Sequence, residues 1–253
     1  MREAMNHPVV VFVVTVLALW IASRAGVAAR KKRPDMEVED REDFGVILTG
    51  TLTLLGLIIG FSFSMAISRY DQRKNYEEEE ANAIGTEYLR AELLPAANAE
   101  KARALLKNYL VLRVRFYQAR GREELREINT RTAQLQGELW NAVKPSPGED
   151  HSAVEALALA GMNDVLNTQG YTQAAWWNRI PLAAWGLMWA IAVCSNFMIG
   201  YYLRPAEQHW MRVLVMPLVV SISLLLIADI DSPRGGVIRV LPQNLMNLQE
   251  GMK

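Results

Sequence analysis

Hydrophobic residues gather in four long stretches, and between the second and third they recur at helical spacing. The first stretch runs from about Pro8 to Ser23 and is uncharged back to Ala4. The second is Phe44–Ser68, the third Ile180–Leu203 and the fourth Val213–Ala228. A spanning helix needs about 20 mostly apolar residues, with about 17 tolerated. The second and third stretches exceed this comfortably. The first and fourth lie near the lower limit, with Trp20, Arg24, Trp210 and Arg212 placed as interfacial anchors. The pattern predicts an all-α membrane protein with spans at about 5–24, 44–68, 180–203 and 211–230. Arg24 interrupts the first stretch before the small residues Val27-Ala28-Ala29, so this stretch reads as a retained helix rather than a cleaved signal.

The hydrophilic region 69–179 reads as a helical extramembrane domain. Its first helix continues the second span without Pro or Gly as far as Glu80 and stops near Leu94-Pro95. A helix over Asn98–Arg120 places Leu105, Tyr109, Leu112 and Phe116 on one face. Another over Arg122–Val143 carries the stripe Leu125, Ile128, Thr132, Leu135 and Leu139, which calls for a helical partner. Lys144-Pro145-Ser146-Pro147-Gly148 breaks the chain. Ser152 with Glu155 forms a capping-box pattern that starts a helix reaching about Asn178 and feeding into the third span. A short loop at Arg204–Gln208 joins the last two spans, and 231–253 is a tail.

Composition narrows the function. Lys plus Arg and Asp plus Glu both number 27, so nothing favours a nucleic-acid partner. The single cysteine, Cys194, cannot form an intrachain disulfide and reads as a small buried thiol. His7, His151 and His209 have no metal-ligand spacing, and there is no phosphate-binding glycine loop or nucleophile elbow. No enzyme activity, metal or cofactor is expected. Lys and Arg near the span ends are nearly balanced between the two sides, so charge does not set the orientation.

The second span carries the candidate chemistry. At about 100° per residue, Thr49, Thr53, Gly56, Gly60 and Ser64 share one stripe, bordered by Leu57, Phe61 and Ser68. Gly56 and Gly60 form a small-xxx-small pair that lets another helix approach. The same stripe suits a pore wall, with Leu57 and Phe61 as a constriction that gates by dewetting. Beyond it, Glu77 to Glu80 point in successive directions around the helix. They form either a solvated face or, in a ring of subunits, a charged collar with Glu77 and Glu80 as candidates. After the fourth span, Asp229 and Asp231 are costly near a bilayer unless hydrated or paired, and Arg234 is close enough in sequence to pair.

Three patches resemble the bestrophins, most closely their bacterial bestrophin-like members. They are Gly60-Phe61, then Ser68-Arg69-Tyr70-Asp71 with the downstream run Ala81–Arg90, and Asp229–Gly236 followed by Val237-Ile238-Arg239. The resemblance implies a homopentameric channel in the bacterial inner membrane, with four membrane helices per subunit and a cytoplasmic helical domain. It implies passive conduction of small ions, anions favoured, through a pore lined by the second helix. Carried onto this sequence, the neck falls on Phe61, Leu57 and Thr53, and Thr49, Ser64, Ser68 and Gln72 continue the lining. Thr53 departs from the family's apolar neck pattern, and the acidic calcium clasp of animal bestrophins has no counterpart. The alternative is a non-conducting membrane scaffold or sensing module, in which Gly56 and Gly60 serve packing alone.

Overall fold

A computed structural model describes residues 7–32, 38–144, 153–203 and 210–252. Arg33, Asp35, Glu37, Pro145–Gly148, His151, Ser152, Arg204–Gln208 and His209 lie outside the described residues, as do the side chains of Trp210 and Arg212. The described residues form α1 (Pro8–Lys31), α2 (Val38–Arg90), a 3-10 turn (Ala91–Leu93), α3 (Ala96–Gln118) and α4 (Arg122–Val143). They continue as α5 (Ala153–Trp177), α6 (Leu182–Tyr202), α7 (Trp210–Asp231) and α8 (Gln243–Gly251). Among them, four helical segments are long and apolar enough to cross a membrane. They lie in α1, α2, α6 and α7.

Prolines mark several starts. Pro8 opens α1 at its first turn. Pro95, Pro181 and Pro242 are the N-caps of α3, α6 and α8. A proline there loses nothing through its missing N–H and biases the preceding residue away from helix. Pro181 thereby separates α5 from α6, and the expected continuous run into the third span is broken at 178–181.

The chain divides into two compact units. The first comprises residues 1–69 and 179–238. In it α1 packs on α6 and α7. The tightest approach is at Gly26 and Gly200. A Cβ on Gly26 would run into the Phe197 carbonyl oxygen, and one on Gly200 into the Ser23 carbonyl oxygen. Two buried hydroxyls in this bundle bond along their own helices, Thr15 to the Val11 carbonyl at 2.7 Å and Ser195 to the Ile191 carbonyl at 2.8 Å. Such back-bonding lets polar side chains sit in a low-dielectric bundle. Cys194 is exposed on α6, not buried, because the buried side of that helix is built on Met188, Ala192, Ser195 and Asn196.

The second unit comprises residues 70–178 and 239–253. Its core draws on α2 (Ile84), α3 (Leu106, Tyr109, Phe116), α4 (Ile128, Leu135, Leu139), α5 (Ala158, Met162, Val165) and α8 (Leu245). The α4 stripe packs inward, with Ile128, Thr132, Leu135 and Leu139 buried. On α3 the buried face is centred on Leu106, Tyr109 and Arg113, and Leu105 and Leu112 are half-buried at its edge. The end of the chain is not a free tail: α8 packs on α3.

Candidate functional site

The unbroken 53-residue α2 has two faces of opposite character. Leu48, Leu55, Ser62 and Ala66 are buried along its apolar half, and Arg73, Glu77, Glu80, Ile84 and Glu87 along its polar half. Steps of seven, four and three keep these residues on one stripe. The predicted lining residues Thr49, Thr53, Gly56, Leu57, Gly60, Phe61, Ser64, Ser68 and Gln72 are all exposed. Their mean direction is about 180° from the buried stripe. Leu57 is 52% and Phe61 65% exposed, as are many apolar side chains on the other spans. The Thr49 hydroxyl donates to the Gly45 carbonyl at 2.8 Å and that of Thr53 to the Thr49 carbonyl at 2.9 Å. Both hydroxyls thus satisfy their protons on their own helix. A Cβ added to Gly56 or Gly60 would meet nothing within 4 Å, so no neighbour within this chain requires glycine there.

Glu77 and Glu80 belong to the buried stripe and not to a solvated face. Of the four consecutive glutamates, Glu78 and Glu79 are the exposed ones. Glu80 accepts from Arg113 Nε and from Arg113 Nη2, the latter at 3.4 Å. Its Oε2 also accepts from the Tyr117 and Thr172 hydroxyls, each at 3.2 Å. The Arg113 guanidinium lies 4.4 Å from the centre of the Phe116 ring. Burial works most strongly against the Arg113 charge, but the Glu80 carboxylate, Tyr109 and Tyr117 together more than offset it and hold the guanidinium protonated. Burial, then the Glu80 charge, pushes the Tyr117 hydroxyl far up, so it stays a donor. Glu77 accepts from Asn244 Nδ2 at 2.7 Å and from the Leu245 backbone N–H at 3.0 Å. A carboxylate on the first-turn amides of α8 satisfies donors that the helix leaves open.

At the end of α7, Asp231 accepts from the Ile180 backbone N–H at 3.1 Å and pairs with Arg69 at 3.5 Å. Arg69 of α2, remote in sequence, is thus an ion-pair partner of Asp231. Asp229 accepts from the backbone N–H groups of Val237 and Ile238, both at 2.8 Å. Both carboxylates therefore serve as acceptors that fold the turn after α7. No group of three His, Cys, Asp or Glu among the described residues is arranged to hold a metal ion.

Sequence reasoning missed the Glu80–Arg113–Tyr117–Thr172 cluster. The available signal was an arginine in the middle of the apolar face formed by Leu106, Leu110, Val114 and Tyr117.

A family model described as a bestrophin-like domain matches residues 9–245. Two mutant structures of a bacterial bestrophin homolog from Klebsiella pneumoniae share the architecture. One is 15% identical with a TM-score of 0.63 over 97% of both chains. The other is 13% identical with a TM-score of 0.66 over 95% of both. At these identities the likeness is one of fold. Comparison with curated proteins gave no match. The family match and the four spans lead to one conclusion: this chain is a multi-pass membrane protein belonging to the bestrophin-like family.

Proposed function

We propose that the protein assembles as a homopentameric ring and passively conducts small ions, anions favoured, through a pore lined by the outer face of α2. The observation that carries this reading is the exposure of Leu57 and Phe61, with Thr53, Ser64 and Ser68 beside them, on the face opposite the buried stripe. Lipid suffices for the two apolar side chains, but a water-filled path gives Thr53, Ser64 and Ser68 a role that lipid does not. Thr53, Leu57 and Phe61 form the constriction, with Thr49, Ser64, Ser68 and Gln72 lining the path on either side. Gly56 and Gly60 leave room for a neighbouring copy. Helical spans rather than a β-barrel suit a bacterial inner membrane. On the family resemblance, the helical unit lies in the cytoplasm.

The test is recording from purified oligomer in planar bilayers. Wild type should conduct, and Leu57→Ala and Phe61→Ala should raise the open probability or conductance by lowering the dewetting barrier. Silence in all three proteins would sink the channel reading and leave a membrane scaffold. The mass of the detergent-solubilised oligomer checks the pentamer separately.

A further inference from the structure

Glu87 is the buried group whose place in the fold is least explained by what surrounds it. It lies on the buried stripe of α2 and is fully shielded from solvent, and neither carboxylate oxygen has a hydrogen-bond partner. Its Oε2 is pressed against the backbone of α5 at Gly161, where an added Cβ would collide with it. That Cβ would also come within 2.7 Å of Arg90 Nη1. Ile84, Ala91, Ala158, Met162 and Val165, all in the same core, make the surroundings apolar. The charged groups acting on Glu87 are Arg90 of α2, which favours the carboxylate, and Asp164 of α5, which opposes it. An ionised carboxylate with no hydrogen bond is strongly disfavoured in such a place, whereas a protonated one is tolerated.

We propose that Glu87 is a proton-operated catch: while its carboxyl is protonated α5 lies directly against α2 at Gly161, and loss of that proton loosens α5. The catch does not depend on whether the protein conducts. Desolvation first, against the opposing pull of Arg90, pushes the Glu87 carboxyl up to about 8. The sign follows from proton linkage: the folded state holds this proton more tightly than the unfolded chain. Glu87 therefore makes stability fall as pH rises from about 4.5 to about 8, with the loss complete above that range.

The experiment is thermal unfolding of the detergent-solubilised full chain across pH, for wild type and Glu87→Gln. The glutamine keeps the shape but cannot ionise. The wild-type midpoint should decline from about pH 5 to about pH 8 and then level. Glu87→Gln should lack that decline. Parallel profiles for the two proteins would overturn the proposal. Hydrogen exchange of wild type alone gives a second reading. After correction for the intrinsic rate, α5 amides around Gly161 should lose protection between about pH 6 and about pH 9, more than those of α4. Equal protection of α5 at both pH values would also overturn it.

Discussion

The two faces of α2 show how little residue type reveals about which side of a helix is inside. The inner face buries Arg73, Glu77, Glu80 and Glu87, whereas the outer face exposes Leu57 and Phe61. On the polar half, burial of Glu77 and Glu80 is made possible by partners from distant sequence, namely Arg113, Tyr117, Thr172 and the amide end of α8. On the apolar half, the exposed face has no neighbour at Gly56 and Gly60 among the described residues. Glu77 and Glu80 are thus accounted for within one subunit, and the outer face awaits lipid, water or another copy.

The largest effect should come from breaking the inner face. Glu80→Ala leaves the Arg113 charge buried without its carboxylate, a loss of about 3–5 kcal/mol. Denaturant unfolding measures it, and Glu80→Leu with Arg113→Met should recover much of the loss. An undiminished midpoint in Glu80→Ala would erase the distinction between the two faces. Next comes Glu77→Ala, which removes the acceptor at the start of α8 for about 0.5–2 kcal/mol. Limited proteolysis should then cut near Leu245 sooner than in wild type.

A matched glycine pair gives the sharpest comparison, and its Gly60 member the smallest effect. Gly26→Ala should destabilise by about 1–3 kcal/mol, because α6 backbone occupies the space of the new methyl. Gly60→Ala has open space and should leave the thermal midpoint of the single subunit unchanged, or raise stability by up to about 1 kcal/mol through helix propensity. Any defect in Gly60→Ala should appear in assembly or conduction instead. A similar loss of subunit stability in both variants would remove the outer face's special status.

Much of the fold was legible because apolar length and helical period are local signals. The four spans and the limits of α4 at Arg122–Val143 follow from them directly. The α8 helix was not legible, since its nine residues carry too short a pattern and its packing partner lies on α3. The small-residue signature was read on α2, yet the intrachain close approach lies at Gly26 and Gly200. Neither has a second glycine three or four residues away in its own helix, so only the pairing of two distant helices reveals the crossing. For the candidate site, period places Thr49 to Gln72 on one stripe and Glu77 and Glu80 opposite them, but it does not show that the two carboxylates have buried partners. That required Arg113, remote in sequence and silent until folded.

The unbroken course of α2 limits how such a helix can move. Glu77, Glu80 and Glu87 share one helix, about 80 Å long, with Thr53, Leu57 and Phe61. Rolling its polar half about the helix axis would drag Glu80 off Arg113 and Glu77 off α8. Sliding that half lengthwise would do the same. Two carboxylates one turn apart therefore pin the polar half of α2 within its own unit against torsion and translation alike.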